Sequence, residues 1–123
     1  MTDVEALLTK AYDAFNRRDF DALAASLHPE VDWPDQIGGG RLVGREAMRA
    51  YWDRNNTVIE IDSSPVAFTQ LADGRTCVDV NQVVRNKAGQ LWSDQCVRHC
   101  YTLRDGLISR MDMVDDKEPS RAP

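Results

Sequence analysis

Residues 76–114, with the sequence TCVDVNQVVRNKAGQLWSDQCVRHCYTLRDGLISRMDMV, decide the fold class of this chain. Val78 and Val80 alternate with polar residues, which is the period of a β-strand with one buried face. Turn signals follow at residues 86–89 and at Asp105-Gly106. The stretch therefore predicts three consecutive antiparallel strands, over residues 76–85, 91–103 and 107–114.

The chain before this stretch shows first helical and then strand periodicity. Thr2 and Glu5 have the spacing of a capping box, and Leu8, Ala11 and Phe15 follow at helical intervals. The patterns predict helices over residues 2–16, 20–27 and 46–55, a brief strand at 31–33, a loop at 38–40, strands at 57–62 and 65–72, and a two-residue turn at Asp73-Gly74. We expect a single α+β domain over residues 1–123, in which a curved antiparallel sheet wraps around three N-terminal helices and a tail from about residue 116 frays.

The charge balance argues against nucleic acid as a partner. The 123 residues include 15 Lys and Arg against 20 Asp and Glu, a net charge of −5, whereas binding to phosphates needs a cationic surface. Apolar runs are short, and residues 1–10 (MTDVEALLTK) contain no basic segment followed by an apolar one. We therefore expect a soluble, cytoplasmic protein with no membrane segment.

The cysteine and aspartate patterns predict neither a disulfide framework nor a metal site. Cys77, Cys96 and Cys100 form an odd set without a C-x-x-C pair, so we expect buried thiols. Asp112 and Asp115 would point to opposite faces of an extended strand, with no histidine nearby in sequence. A solvated acidic end is therefore expected there, rather than a bound metal ion.

His99 is the first candidate for chemistry. Val97, His99 and Tyr101 share one face of the long predicted strand, and that face is the apolar one. An imidazole among apolar side chains can act as an acid, a base or a hydrogen-bond donor near neutral pH. The alternative is a core histidine whose hydrogen bonds are all satisfied by the protein. A second polar group directed at the same place would decide between them.

Asp35 is the candidate for that second group. It follows Trp33-Pro34 and precedes the glycines at residues 38–40, so an aromatic wall lies on one side of it and a loop on the other. Apolar surroundings destabilise a charged carboxylate and make it a stronger base, which suits removal of a proton from carbon. The alternative is an aspartate that only begins a turn.

Bulky side chains predict the walls of an apolar pocket. Aromatic and methionine residues line most ligand pockets, although they also fill most cores. The candidates for the wall are Trp33, Tyr51, Trp52, Tyr101, Met111 and Met113. Gln82 and Asp115 are candidates for an added polar contact. We expect the ligand to be a small apolar molecule.

A family resemblance is carried by three segments: NRRDFDALAASLHPEVDW at residues 16–33, GGGRLVGREAMRAYW at 38–52 and VRHCYTLRDGLISRMDMVD at 97–115. They resemble the nuclear transport factor 2-like superfamily and, within it, the small bacterial proteins grouped with ketosteroid isomerases and SnoaL-like polyketide cyclases. The likeness extends from about residue 4 to residue 115. It implies a cone-shaped α+β barrel with an apolar pocket between the sheet and the helices, often in a homodimer.

The resemblance also implies roles for individual residues. In ketosteroid isomerases a carboxylate after the second helix moves a proton between carbon atoms, and the match places Asp35 on it. The second acid of that family, which donates a hydrogen bond to the enolate, falls on His99. The family's tyrosine on the first helix falls on Ala11, and Tyr12 points about 100° around the helix from it. The phenol is therefore expected to be missing unless another side chain supplies it, and steroid isomerisation as such is not expected.

These observations predict a small isomerase, cyclase or dehydratase that needs no metal or organic cofactor. Asp35 would take a proton from carbon, and His99 would hydrogen-bond the oxyanion or protonate a leaving hydroxyl. One alternative is a non-catalytic dimeric domain that binds an apolar ligand. Another is a water-activating hydrolase, like the epoxide hydrolases of the same superfamily. That activity needs a further Arg and Asp at the pocket, and Arg98 is predicted to face away from it.

Overall fold

The computed structural model describes residues 2–35 and 39–114. Its helices are α1 (Asp3–Asn16), α2 (Phe20–Ala24) and α3 (Arg45–Asn56). Its strands are β1 (Leu27–Pro34), β2 (Arg41–Val43), β3 (Ile59–Gln70), β4 (Thr76–Asn86), β5 (Leu91–Arg104) and β6 (Leu107–Val114). The predicted α+β class is confirmed.

The described strands form one six-stranded sheet in the order β2-β1-β6-β5-β4-β3. The sheet is curved but not closed into a barrel, because β2 and β3 remain as its two edges. The other neighbouring strands are antiparallel as predicted, but β1 and β6 run parallel. A tight turn makes the two strands that it joins antiparallel. Strands β1 and β6 lie far apart in the sequence and no turn joins them, so no local signal sets their relative direction.

The first helix begins with the predicted capping box. Thr2 Oγ1 accepts a hydrogen bond from the Glu5 backbone N–H at 3.1 Å, and Glu5 Oε1 accepts one from the Thr2 N–H. At the other end of α1, the Asn16 amide donates to Ser63 O at 2.8 Å and accepts from the Ser63 N–H at 2.9 Å. These paired hydrogen bonds join the end of α1 to β3 as a backbone pairing would.

Two predicted boundaries in the first half are wrong because a distant strand overrides local periodicity. The second helix ends at Ala24 rather than at residue 27, since Leu27 already pairs with Ile108 of β6. The Ile108 N–H donates to Ser26 O at 2.9 Å. The first strand is consequently eight residues long instead of a brief segment.

The sheet edges also differ from prediction. The short strand β2 was not predicted, and it pairs Leu42 with Trp33 of β1. The two short strands predicted before residue 73 are one continuous strand, β3, which contains Pro65 and shifts register between Pro65 and Ala67. Proline lacks an N–H for the ladder, and it is tolerated here because β3 has an unpaired edge.

Turn chemistry explains the hairpins. Asp105 and Gly106 have φ angles of 56° and 76°, both positive as a type I′ turn requires, and they join β5 to β6 as predicted. The loop between β3 and β4 is longer than the predicted two residues. It spans residues 71–75, and the Leu71 N–H donates to Arg75 O at 2.8 Å across it.

One face of the sheet packs against the helices and forms the core. Its fully buried members include Leu8 of α1, Leu27 and Val31 of β1, Val78 and Val80 of β4, and Met111 of β6. None of the helices in the described part of the chain is both long and apolar enough to cross a bilayer.

Cys77 and Cys100 form a disulfide between β4 and β5. The expectation of buried thiols is therefore wrong for this pair, and Cys96, also expected to be buried, is exposed. The sheet register places Cys77 directly opposite Cys100. Spacing along the sequence does not reveal such a pairing, because it depends on how two strands align.

The acidic end of the last strand is held by arginines. Asp112 lies 3.0 Å from Arg110 and 3.3 Å from Arg41, and Arg41 also donates to Met111 O at 2.7 Å. These contacts fasten β2 across β1 to β6. Asp115 and the tail from residue 116 lie outside the described residues.

The disulfide gives a first prediction. Under denaturing, non-reducing conditions we expect one titratable thiol per chain in the wild type and none in Cys96→Ala. Three thiols per chain in the wild type would contradict the pairing. The double variant Cys77→Ala/Cys100→Ala should lose about 3 kcal/mol of unfolding free energy in urea, because the bridge restricts the unfolded chain. Cys96→Ala, at an exposed position, should change it by less than about 0.5 kcal/mol.

Candidate active site

A cavity lies between the sheet and the helices, with both helical and strand residues in its wall. Most of the residues predicted to line a pocket do so: Trp33, Tyr51, Trp52, Gln82, Tyr101 and Met111. His99 lines the same cavity. The curvature of the sheet brings these side chains together, since they come from β1, α3, β4, β5 and β6.

One predicted wall residue, Met113, is placed differently. Met113 pairs with His99 across β5 and β6 but is 37% exposed, and it is not one of the described residues that line the cavity. Asp115 lies outside the described residues, so its predicted contact with the ligand stays a prediction.

His99 is buried and forms one end of a chain of hydrogen bonds. Its side chain lies on the inner face of β5, where the residue is 4% exposed. The Tyr12 hydroxyl lies 2.8 Å from His99 Nδ1, and the Tyr101 hydroxyl donates to the Tyr12 oxygen at 2.7 Å. Tyr12 has a single hydroxyl proton. With Tyr101 donating to its oxygen, we infer that this proton is directed to Nδ1 and that the His99 ring carries its own proton on Nε2.

Burial keeps all three members of this chain uncharged at neutral pH. Loss of water around the imidazole lowers the pKa of His99 to about 4. The same effect raises the pKa of Tyr101 and of Tyr12 above the ordinary value for a phenol. The site therefore presents a neutral imidazole, not an imidazolium, to whatever occupies the cavity.

The second ring nitrogen of His99 belongs to a side chain that lines the cavity. Nε2 is buried and has no hydrogen-bond partner among residues 2–35 and 39–114. An unmade buried hydrogen bond costs about 1–3 kcal/mol, so such groups are uncommon unless something else occupies the site. With the proton on Nε2, the missing partner would be a hydrogen-bond acceptor, such as an oxygen atom of a ligand.

Tyr12 is a residue whose role sequence reasoning missed. The phenol was expected to be missing because the family's tyrosine falls on Ala11, yet both Ala11 and Tyr12 are buried and line the cavity. Helix α1 buries a wide sector of its surface, so Tyr12, which follows Ala11, also reaches the sheet. The phenol is therefore present, but it contacts the imidazole of His99.

Asp35 lies just beyond the end of β1. Its side chain is 11% exposed, and Oδ2 lies 3.6 Å from Nη2 of Arg54. The Asp35 N–H donates to Gly40 O, and Asp35 O accepts from the Gly39 N–H, both at 3.0 Å. Trp33, two residues earlier, lines the cavity, but among the described residues Asp35 itself does not.

Asn55 is a second polar residue that the sequence analysis did not single out. It lies on the buried face of α3, one turn after Tyr51, and is 9% exposed. It lines the same cavity as His99, and its Oδ1 finds no hydrogen-bond partner within the described ranges. The helical interval from Met48 to Tyr51 to Asn55 puts these residues on one side of the helix, but it does not indicate a binding role for the amide.

Arg98 faces away from the cavity, as its position in β5 predicts. It lies opposite Asp79 of β4, and its Nε donates to Asp79 Oδ1 at 2.8 Å. Its neighbour His99 faces the cavity, because alternate residues of a strand point to opposite sides. Arg98 is thus not available at the cavity for the water activation that a hydrolase would need.

The comparison with protein families gives a match over residues 8–111 to the SnoaL-like domain, which is most of the chain. The chain belongs to the SnoaL-like domain family. The resemblance stated from the sequence is therefore confirmed. The comparison with curated proteins gave no match.

Solved structures share the fold of this SnoaL-like chain. An NTF2-like protein of unknown function from Burkholderia pseudomallei is 24% identical with a TM-score of 0.81, over 94% of this chain and 92% of that one. TerC, co-crystallised with polyporic acid, gives the same values. A candidate polyketide cyclase from Pseudomonas putida is 23% identical with a TM-score of 0.79, over 95% and 93% of the two chains. At these identities the likeness supports the fold alone.

The tautomer of the SnoaL-like chain's buried imidazole can be measured. We expect ¹⁵N NMR of the wild type at pH 7 to show His99 with a protonated Nε2 and an unprotonated Nδ1. Tyr12→Phe removes the donor to Nδ1, so the ring should then populate both tautomers. The chain has two histidines, and the spectrum of His99→Gln assigns the remaining signals to His28. A protonated Nδ1 in the wild type would contradict the proposed direction of the hydrogen bonds.

The pKa of His99 also predicts how stability depends on pH. The unfolded imidazole has a pKa near 6.5 and the folded one about 4, so only the unfolded chain takes up this proton between those values. The associated stability is present above pH 6.5 and is lost as the pH falls towards 4, by about 3 kcal/mol in total. Urea unfolding of the wild type and of His99→Gln from pH 7 to 4 measures it. Equal losses in both proteins would contradict the low pKa.

Proposed function

We propose that this chain is a cofactor-independent enzyme that transfers a proton on an apolar carbonyl substrate, as an isomerase, cyclase or dehydratase does. The observation that carries the proposal is the neutral, buried imidazole of His99. The residue lines an apolar cavity, and its Nε2 has no partner in the described part of the chain. Family membership and the candidate polyketide cyclases of the same fold support this class of reaction.

His99 is proposed to stabilise the oxyanion. When a proton leaves the carbon next to a carbonyl, negative charge develops on the carbonyl oxygen, and Nε2–H would donate a hydrogen bond to it. A preorganised donor of this kind in a dry site contributes about 3 kcal/mol to the stability of the transition state. The Tyr12 and Tyr101 hydroxyls would hold the imidazole in place, because they fix its Nδ1.

Asp35 is proposed as the base. It stands at the end of the strand that contributes Trp33 to the cavity, and its position matches the catalytic carboxylate of ketosteroid isomerases. The guanidinium of Arg54 lies 3.6 Å from Oδ2. Access of a substrate carbon to this carboxylate is part of the proposal.

One observation favours a second candidate function, a non-catalytic domain that binds a small apolar molecule. The carboxylate of Asp35 is engaged by Arg54, and among the described residues it does not line the cavity. In that case His99 would only recognise a ligand oxygen. A homodimer and a cytoplasmic location remain predictions for either function.

Exchange of deuterium into a ketone tests the enzymatic proposal without knowledge of the natural substrate. With 1-tetralone in D₂O, loss of the C2 proton signals in ¹H NMR reports proton abstraction next to the carbonyl. We expect the wild type to accelerate exchange and Asp35→Asn to abolish the acceleration. His99→Phe should reduce it about 100-fold, the equivalent of the lost donor.

The control for this experiment is Asp53→Asn, an exposed aspartate on the same helix as Arg54. It should exchange the ketone protons at the wild-type rate. Exchange that persists in Asp35→Asn would show that Asp35 is not the base. Saturable binding of 1-tetralone to the wild type with no accelerated exchange would favour the binding domain.

A further inference from the structure

Two residues that line the cavity each have a buried polar atom without a hydrogen-bond partner in the described part of the chain. With the inferred proton on His99 Nε2 that atom is a donor, whereas Asn55 Oδ1 is an acceptor. They come from β5 and α3 and line one cavity. The proposed function uses only the first of them, so the second is unexplained.

The burial of Asn55 makes this oxygen informative. The residue is 9% exposed and lies in the cavity wall with Tyr51 and Met48 from the same helix face. A buried acceptor without a donor is unfavourable, and a solvated position would avoid that cost. Asn56 also lines the cavity but is only partly buried. The amide of Asn55 is therefore suited to contact a donor that arrives with the ligand.

We propose that the ligand of this cavity is a hydroxylated carbonyl compound with an apolar skeleton, whose carbonyl oxygen accepts from His99 Nε2–H and whose hydroxyl donates to Asn55 Oδ1. This inference rests on the proposed role of His99 for the carbonyl end only. It adds a specificity-determining residue, Asn55, and it narrows the substrate class to compounds with both an acceptor and a separate donor.

The two polar atoms also determine what the site rejects. A purely apolar molecule of the same shape would leave both His99 Nε2 and Asn55 Oδ1 without a hydrogen bond. A simple ketone would leave only Asn55 Oδ1 without one. Sites built to bind a hydroxyl reject analogues that lack it, because the protein group then stays buried without a partner. The apolar wall, which includes Trp33 and Met111, would contact the apolar skeleton of the ligand.

Binding of a matched set of bicyclic probes tests the inference. The set contains 5-, 6- and 7-hydroxy-1-tetralone, the corresponding fluoro-1-tetralones, 1-tetralone and tetralin. Fluorine is close to a hydroxyl in size but has no proton to donate. We expect at least one hydroxy compound to bind the wild type about tenfold more tightly than its fluoro counterpart, measured by calorimetry. Asn55→Leu should abolish that difference.

Asn56→Leu is the matched control, because Asn56 is the next residue and lines the same cavity. It should retain the preference for the hydroxyl. Loss of the preference in Asn56→Leu but not in Asn55→Leu would overturn the assignment. If Asn55→Leu does not fold, the wild-type comparison of hydroxy with fluoro compounds still decides: equal or absent binding of the two sets overturns the inference.

The same probes separate this inference from the proposed function. Preference for 1-tetralone over tetralin reports the carbonyl contact with His99 and should disappear in His99→Phe. Preference for the hydroxyl reports Asn55. If the wild type prefers 1-tetralone to tetralin but does not prefer any hydroxy compound to its fluoro counterpart, the inference about Asn55 is contradicted. The proposed function is not affected by that result. A hydroxyl preference that depends on Asn55, without deuterium exchange into any ketone, would support the inference and contradict the enzymatic proposal.

Discussion

The hydrogen-bond chain from Tyr101 through Tyr12 to His99 sets the chemistry of the cavity. Each hydroxyl has one proton, so a donor at the Tyr101 end directs the Tyr12 proton to His99. In this arrangement, which we infer, the imidazole has its own proton on Nε2. Burial favours the neutral forms of Tyr12, His99 and Tyr101, because it raises the pKa of each phenol and lowers that of the imidazole. A polar but uncharged donor in an apolar cavity is the result.

These hydrogen bonds depend on the fold. Helix α1 must cross the sheet at a position from which the Tyr12 hydroxyl reaches His99 of β5. The capping box starts α1 at a defined residue, and Asn16 fastens its far end to the backbone of Ser63. Curvature of the sheet then leaves a cavity instead of a filled core. Asp35 is not among the described residues that line this cavity, and it contacts Arg54. Its proposed role as the base is argued from its position in the chain and from family likeness.

Much of the site could be predicted from the residues themselves. His99 was placed on the apolar face of its strand, and the wall residues followed from their size. The mistakes concern pairs that are distant in sequence. Tyr12 was set aside because alignment placed the family's phenol on Ala11, yet the packing of α1 brings its hydroxyl to Nδ1 of His99. Asn55 gave no signal, since an amide at a helical interval does not reveal whether its oxygen will have a partner.

Local patterns in the chain specify the α+β class, the strand that carries His99 and the turn at Asp105-Gly106. Such features depend on periodicity and on φ preferences, which are properties of neighbouring residues. The parallel pairing of β1 with β6, the Cys77–Cys100 bridge and the place of His99 and Asn55 in one cavity wall arise from packing instead. Each of these depends on the relative register of separate elements, which forms when they pack and is not encoded in any local pattern.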